Sequence, residues 1–93
     1  MKIEFSINGW EDFEYWIETD QAIIVKIKDL LQSIRSNPFK GLGKPEPLKH
    51  GFKGYWSRRI TQEHRLVYNV SGKKGVDQKC TIIQCRYHYS NLG

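Results

Sequence analysis

Three side chains with suitable chemistry for cutting a phosphodiester stand at separate points of the chain: Glu46, Arg65 and His88. A carboxylate can take the proton of a ribose 2′-hydroxyl, and a histidine can give a proton to a leaving 5′-oxygen near neutral pH. An arginine can stabilise the phosphorane, because its planar fork donates two hydrogen bonds to phosphate and keeps its charge. If the fold brings the three together, they suffice for RNA cleavage without a metal. Taken singly, each residue type is more often an ordinary surface or half-buried side chain.

The sequence around two of these residues is strongly basic. Residues 40–65 contain seven basic and two acidic side chains, an excess equal to the formal net charge of +5 of the whole chain. The basic members are Lys40, Lys44, Lys49, Lys53, Arg58, Arg59 and Arg65. This density favours binding of a polyanion, with a solvated surface as the ordinary alternative. Tyr55 and Trp56 fit sheet packing better than stacking on bases, and His50 and His64 have no distinguishing context.

Glu46 lies in a segment that cannot form regular structure for long. Residues 39–54 contain four glycines and two prolines, and loops of this length in small domains are usually functional or disordered. Pro45 and Pro47 flank the carboxylate and favour an extended backbone, which limits how far it can move. A group that transfers protons needs such rigidity, so this loop is a suitable place for a base.

Two helices are expected ahead of this loop. A short strand over residues 2–6 alternates polar and apolar side chains, and the first helix follows with Asn8 as its N-cap. Thr19 or Asp20 can cap a second helix, which should end near Asn37-Pro38 because the residue before proline is pushed out of helical geometry. The apolar stripes of the two helices are Trp10, Phe13, Trp16 and Ile17 in the first, and Ile23, Ile24, Ile27, Leu30, Leu31 and Ile34 in the second.

Three strands are expected after the loop, over residues 55–61, 64–70 and 79–89. The order of elements is therefore βααβββ. It predicts an α+β fold in which the two N-terminal helices pack on one face of a mostly antiparallel sheet. At 93 residues, the chain has room for a single domain over residues 1–93 and for one site.

Strand alternation predicts which side chains share a face of this sheet. It places Arg65 on the side of its strand opposite the apolar residues. In the last strand, the side expected to be buried is Thr81, Ile83, Cys85 and Tyr87, and the free side is Ile82, Gln84, Arg86 and His88. Arg65, Arg86 and His88 should then project from one free face, bordered by the loop that carries Glu46.

Composition restricts the setting of the protein. No apolar run approaches the roughly 20 residues that span a bilayer, and the N-terminus does not resemble a signal peptide, so we expect a cytoplasmic protein without membrane contact. Cys80 and Cys85 lie five apart in the expected last strand, which points them to opposite faces and excludes a disulfide between them. No second Cys or His pair appears at zinc-ligand spacing, and we expect neither a metal nor another cofactor.

Six segments carry a more specific pattern. They are Glu18-Thr-Asp20, Asn37-Pro-Phe39, Gly41-Leu-Gly-Lys-Pro-Glu-Pro-Leu-Lys-His50, Tyr55-Trp-Ser-Arg-Arg-Ile60, Glu63-His-Arg-Leu-Val-Tyr68 and Cys85-Arg-Tyr-His-Tyr89. In order and spacing they resemble the YoeB toxin family, within the RelE/ParE superfamily. The resemblance covers nearly the whole chain, and its third and last segments are hard to obtain by chance.

The resemblance implies the toxin of a type II toxin–antitoxin pair, a ribosome-dependent endoribonuclease that cuts messenger RNA in the ribosomal A site and inhibits translation. It implies that Glu46 is the general base, Arg65 the phosphate-stabilising residue and His88 the general acid. The residues implied to contact RNA or phosphate are Lys44, Lys49, Arg59 and Tyr89. The implied partners are a YefM-like antitoxin, the ribosome with its messenger RNA, and a second copy of the chain in a homodimer.

Two features depart from the family pattern, and two other functions stay open. The chain continues past Tyr89 with residues 90–93, and the hairpin over residues 71–78 is longer than usual. One alternative is a ParE-like module that inhibits gyrase without cutting RNA. The other is a protein that binds RNA or the ribosome through charge alone, with an affinity that falls as salt rises. Neither alternative requires a loop carboxylate together with a strand-end histidine.

Overall fold

The computed structural model describes residues 1–49 and 54–87 and contains two helices and a five-stranded mixed sheet. The elements are β1 (Lys2–Phe5), α1 (Ile7–Thr19), α2 (Gln21–Ser36), β2 (Glu46–Pro47), β3 (Tyr55–Arg59), β4 (Arg65–Ser71) and β5 (Lys79–Gln84). The strand order is β1-β5-β4-β3-β2, with β1 parallel to β5 and every other pair antiparallel. The predicted α+β fold is confirmed, with β2 as an additional short edge strand inside the expected loop. Within the described residues, no helix is long and apolar enough to cross a membrane.

Local signals explain where the helices begin and end. Ser6, not Asn8, is the N-cap of α1, and its hydroxyl accepts a hydrogen bond from Gly9 N at 3.1 Å. The predicted cap was therefore two residues too late. Asp20 caps α2 by accepting from two amides of its first turn, and α2 ends at Ser36 before Asn37, both as predicted.

The core lies between the helices and one face of the sheet. It consists of Trp16 from α1, Ile23, Ile24, Ile27, Leu30 and Ile34 from α2, and Ile60, Leu66, Tyr68, Cys80, Ile82 and Cys85 from the sheet side. The predicted stripe of α2 is confirmed, whereas Trp10 and Ile17 of α1 are exposed. Gly9 permits close packing of α1 on β5, because a Cβ there would lie 2.2 Å from the Ile82 carbonyl oxygen.

A β-bulge in β5 changes the predicted faces of the last strand. Tyr68 pairs with Ile82 and Val67 pairs with Gln84, so Ile83 is an extra residue without a partner on β4. Cys80 and Ile82 therefore face the helices, and the predicted burial of Thr81 and Ile83 on that side was wrong. The strand also ends at Gln84 and not at residue 89.

Both cysteines belong to the same core cluster, in contrast to the opposite faces expected for an unbroken strand. The bulge between them reverses the alternation once, so that Cys80 and Cys85 point to the same side of the sheet. Both thiols are free and buried. Burial raises the pKa of each thiol to about 12, so both stay protonated at neutral pH.

Candidate active site

The face of the sheet turned away from the helices, hereafter the outer face, carries the candidate site. Glu46 on β2 pairs with Ser57 on β3, which pairs with Val67 on β4, which in turn pairs with Gln84 on β5. Residues paired across strands point to the same face of a sheet. The row runs from the exposed Glu46 at the edge to three buried residues in the middle. A carboxylate thus stands at the rim of a sheltered surface.

Arg65 lies on the same face, two residues along β4 from this row. Two strand spacings and a two-residue step separate the Cα atoms of Glu46 and Arg65 by about 12 Å in a flat sheet. Both side chains are long enough to approach one phosphate placed between them. The prediction that Arg65 projects from the free face is consistent with this register.

The guanidinium of Arg65 is fixed by the turn that precedes β4. Its Nη1 donates to the carbonyl oxygens of Thr61 at 2.8 Å, Gln62 at 3.1 Å and His64 at 3.2 Å. The residue is only 9% exposed. Within the described part of the chain, its guanidinium hydrogen bonds all leave from Nη1 and no salt bridge engages it. Nε and Nη2 are therefore the atoms available to hold an anion.

Arg59 is the direct cross-strand partner of Arg65. Two like charges directly opposite each other in a sheet repel, and among residues 1–49 and 54–87 no carboxylate forms a salt bridge with either. An anion bound between them would relieve this repulsion. The exposed Arg59 is in addition held close to the loop, because its amide donates to the Gly43 carbonyl at 2.7 Å.

Lys44 and Lys49 flank Glu46 on either side of β2 and are exposed. Lys44 has a left-handed backbone with a φ of 52°, directly after Gly43 with a φ of 80°. Such a φ is uncommon for a residue with a side chain and marks a sharp change of direction just before the strand. The Leu48 amide donates to the Tyr55 carbonyl at 2.9 Å, which extends the pairing of β2 with β3 by one step.

Arg58 does not belong to the basic surface on which its sequence neighbours lie. Its side chain is fully buried on the helix side of the sheet, so its predicted place on a solvated basic face was wrong. Five hydrogen bonds leave its guanidinium, to the hydroxyls of Tyr68 and Ser33 and to the carbonyls of Asn37, Lys40 and Leu42. Apart from the Tyr68 hydroxyl on β4, these acceptors belong to the end of α2 and the first half of the loop, so Arg58 fixes the segment that leads to Glu46.

The segment after β5, residues 85–87, returns to α1 and does not continue the strand. Asp12 accepts a hydrogen bond from Cys85 N at 3.0 Å, and Trp16 Nε1 donates to Cys85 O at 2.8 Å. Burial raises the pKa of the Asp12 carboxyl above its ordinary value, partly offset by this hydrogen bond. The guanidinium of Arg86 lies 3.6 Å from the ring centre of Tyr15 on α1, so its predicted place on the free face was wrong.

Tyr87 ends this segment beside the predicted phosphate clamp, because its carbonyl accepts a hydrogen bond from Arg65 N at 2.9 Å. His88 and Tyr89, the other two predicted site residues, lie outside the described residues. Within residues 1–49 and 54–87, no group of three His, Cys, Asp or Glu side chains could hold a metal ion. Chemistry without a metal stays a prediction.

Comparison with known proteins identifies the family of the chain. Residues 5–89 match the family model described as YoeB-like toxin of bacterial type II toxin-antitoxin system. The chain belongs to this family. Toxin YoeB of Escherichia coli strain K12 is 53% identical over 89 residues, which are 96% of this chain and 100% of that protein.

Solved structures of the family have the same fold. A YoeB/ParE toxin from Agrobacterium tumefaciens superimposes with a TM-score of 0.89 at 52% identity, covering 96% of this chain and 100% of that one. A YoeB dimer from Staphylococcus aureus gives a TM-score of 0.84 at 44% identity, covering 96% and 98%. The heterotetrameric YoeB-YefM toxin-antitoxin complex of the same organism gives 0.81 at 43% identity, with the same coverage.

Sequence reasoning missed His64, which is half-buried next to Arg65. Its Nδ1 accepts a hydrogen bond from Tyr87 N at 2.8 Å, and its ring lies edge-on to Trp16 with centroids 4.8 Å apart. One signal was present in the sequence. If Arg65 points to the outer face, strand alternation turns its neighbour His64 toward the helices and away from solvent.

Proposed function

We propose that this toxin is an endoribonuclease that cuts messenger RNA in the ribosomal A site and thereby inhibits translation. The observation that carries the proposal is the placement of Glu46 and Arg65 on one outer face, two strands and two residues apart. The like-charged pair of Arg59 and Arg65 supports it, because a phosphate bound between the two would relieve their repulsion. The membership of the family gives the proposal its biological setting, a type II toxin–antitoxin system.

In the proposed reaction, Glu46 takes the proton of the ribose 2′-hydroxyl and the 2′-oxygen attacks the adjacent phosphorus. The bond from phosphorus to the 5′-oxygen breaks, and His88 gives its proton to that oxygen. The products are a 2′,3′-cyclic phosphate and a 5′-hydroxyl, so atoms and charges balance without water or a metal. Arg65 stabilises the negative charge that builds on the non-bridging oxygens, using the part of its fork that the turn leaves available.

The surrounding residues bind and orient the RNA. Lys44, Lys49 and Arg59 are exposed around Glu46 and would hold the flanking phosphates, whereas Tyr89 would orient the substrate beside His88. The electrostatic part of this binding weakens as salt rises. No cofactor takes part in the proposed reaction.

The proposed partners follow from the relatives. The S. aureus relative forms both a dimer and a complex with YefM. We propose by analogy that this chain binds a YefM-like antitoxin and forms a homodimer. A toxin that cuts messenger RNA on the ribosome would act in the cytoplasm.

The experiment is primer extension on messages translated in a reconstituted system, with the wild type and Glu46→Gln. Discrete breaks that require ribosomes are expected from the wild type, and Glu46→Gln should lose about 10²–10⁴-fold in rate because the base is removed. The matched control is Glu14→Gln on the exposed side of α1, which should cut like the wild type. Breaks of undiminished intensity with Glu46→Gln would contradict the mechanism. DNA damage in cells without message breaks would favour the ParE-like alternative.

A further inference from the structure

The last described residue, Tyr87, has a backbone conformation that needs an explanation. Its φ is 64°, in the left-handed region that is unfavourable for a residue with a large side chain. Positions of this kind persist only where surrounding contacts determine them, and they concentrate at functional sites. Tyr87 is neither in a strand nor in the core, since its side chain is 49% exposed. Its side-chain burial therefore does not account for the conformation.

Two short hydrogen bonds hold the backbone of Tyr87 from opposite sides, and Gln84 Nε2 adds a longer one of 3.5 Å to its carbonyl. Its amide donates to His64 Nδ1 at 2.8 Å, and its carbonyl accepts from Arg65 N at 2.9 Å. The two groups come from consecutive residues at the beginning of β4. One of them belongs to the residue that is proposed to clamp the phosphate, so the end of the described chain is fixed relative to the clamp.

The geometry around His64 shows what the imidazole contributes. An Nδ1 that accepts a hydrogen bond carries no proton, so the neutral ring has its proton on Nε2. The ring packs edge-on against Trp16 at 4.8 Å and tilted against Tyr87 at 5.8 Å. A phenyl ring could supply these ring contacts equally well. Phenylalanine lacks both ring nitrogens, and of the two it is the acceptor at the δ position that holds Tyr87.

The other hydrogen bonds of the segment act on Cys85 and Arg86, apart from the long one from Gln84 Nε2 to the Tyr87 carbonyl. Asp12 and Trp16 hold the amide and the carbonyl of Cys85, two residues earlier. Gln84 Nε2 donates to the Arg86 carbonyl at 2.9 Å. The amide of Tyr87 is held by His64, so loss of that acceptor should release this amide and the φ that it fixes. The carbonyl of Tyr87 should stay bonded to Arg65 N, and Cys85 should stay in place.

We propose that His64 is a positioning residue for RNA cleavage, which holds Tyr87 in its left-handed conformation and thereby fixes the residue to which His88 is bonded. The proposal rests on the proposed function, because the contact between His64 and Tyr87 matters for cleavage only if His88 is the general acid. The substrate does not touch His64 in this account. Its effect should appear in the rate of the chemical step and not in binding of the ribosome.

The experiment uses two complementary substitutions. His64→Phe keeps a ring against Trp16 and removes the acceptor, whereas His64→Asn removes the ring and keeps an acceptor, since its Oδ1 occupies the place of Nδ1. Cleavage is measured under single-turnover conditions on ribosomes programmed with a defined message. The two quantities are the maximal rate and the toxin concentration that gives half of it.

For His64→Phe, the maximal rate should fall about 10–100-fold because the acid is misplaced, with the half-saturating concentration unchanged within about threefold. His64→Asn should retain a maximal rate within about threefold of the wild type. An unchanged rate with His64→Phe, or an equal loss with both variants, would overturn the proposal in favour of ring packing.

Amide hydrogen exchange measured by NMR supplies a readout that does not depend on nuclease activity. The Tyr87 amide should be protected in the wild type and in His64→Asn, and should exchange at least about 10-fold faster in His64→Phe. The Cys85 amide, held by Asp12, should be unchanged in all three proteins. Unaltered protection of Tyr87 in His64→Phe would overturn the contact itself.

The two readouts separate failure of this inference from failure of the proposed function. A wild type that does not cut programmed ribosomes refutes the proposed function, while Tyr87 exchange still decides whether His64 fixes the segment. If His64→Phe does not fold, His64→Asn decides alone. Wild-type cleavage and protection in that variant support the acceptor, and loss of both overturns it.

Discussion

Two regions lead to the candidate site around Arg65, and the structure fixes them in different ways. The loop before β2, which leads to Glu46, is held mainly by one buried cation, Arg58, whose five hydrogen bonds reach Tyr68, the end of α2 and the loop itself. Residues 85–87 are held by separate contacts from α1, from Gln84 and from the turn before β4. Because one side chain makes most of the hydrogen bonds that hold it, the loop before β2 depends largely on Arg58. Distributed contacts make the second region tolerant of single losses.

Among the described residues, the groups that accept hydrogen bonds from Arg58 are hydroxyls and carbonyls, and none is a carboxylate. Its Nη2 donates to Asn37 O, the carbonyl that caps α2, where the helix dipole favours a positive charge. Nε donates to the hydroxyl of Tyr68, which in turn donates to Pro38 O at 2.7 Å. The planar fork of arginine is needed to reach all five acceptors at once.

The largest effect is expected from Arg58→Met, which removes five hydrogen bonds, one buried and four partly buried. The free energy of unfolding should fall by about 3–5 kcal/mol, as measured by urea denaturation. Arg59→Met is the matched control from the next position in the same strand, and its exposed side chain predicts a change within about 0.5 kcal/mol. Equal losses in the two variants would remove the distinction between a single centre and a surface charge.

A smaller effect is expected in the region of distributed contacts. Trp16→Phe keeps an aromatic ring in the core and removes the indole N–H that donates to Cys85 O at 2.8 Å. The free energy of unfolding should fall by about 1–3 kcal/mol, because a buried carbonyl loses its partner. Trp10→Phe, on the exposed side of the same helix, should cost less than about 1 kcal/mol. A loss from Trp16→Phe as large as that from Arg58→Met would contradict the proposed difference between the two regions.

The smallest effect concerns Asp12, whose carboxylate holds Cys85 N. Its folded-state pKa is raised above the ordinary 3.8 by burial, so the folded protein binds more protons than the unfolded chain between the two pKa values. Stability therefore decreases as pH rises through that window. Asp12→Asn can keep the hydrogen bond and abolish this decrease, so its stability relative to wild type should be more favourable at pH 7 than at pH 3.5. Urea denaturation at both pH values measures the difference, and an opposite sign would contradict the account.

Sequence reasoning predicted the elements whose signals are local. The cap at Asp20, the end of α2 before Pro38 and the apolar stripe of α2 follow from a few neighbouring residues, and all are confirmed. The α+β order follows from the same signals. Placement of Glu46 and Arg65 on one face required the cross-strand register, which depends on pairing between distant segments and which the sequence alone does not provide.

Errors arose where one residue altered a long-range pattern. The unpaired Ile83 reversed the alternation in β5, and the strand ended five residues early because residues 85–87 find hydrogen-bond partners on α1 and at His64. Arg58 was assigned to the surface from charge density, although alternation puts Arg58 and Arg59 on opposite faces of one strand. Charge density reports how many basic residues a segment has and not the face on which each one lies.

The most direct test of the central claim is a double-mutant cycle of Glu46→Gln and Arg65→Lys, read as single-turnover cleavage of ribosome-bound message. If both residues act on one phosphate, each substitution should lower the rate by about 10²-fold or more, and the double variant should lose much less than the product of the two losses. Thermal melting of each variant verifies the fold. Independent losses that multiply, or cleavage unaffected by Glu46→Gln, would contradict a shared site on the outer face.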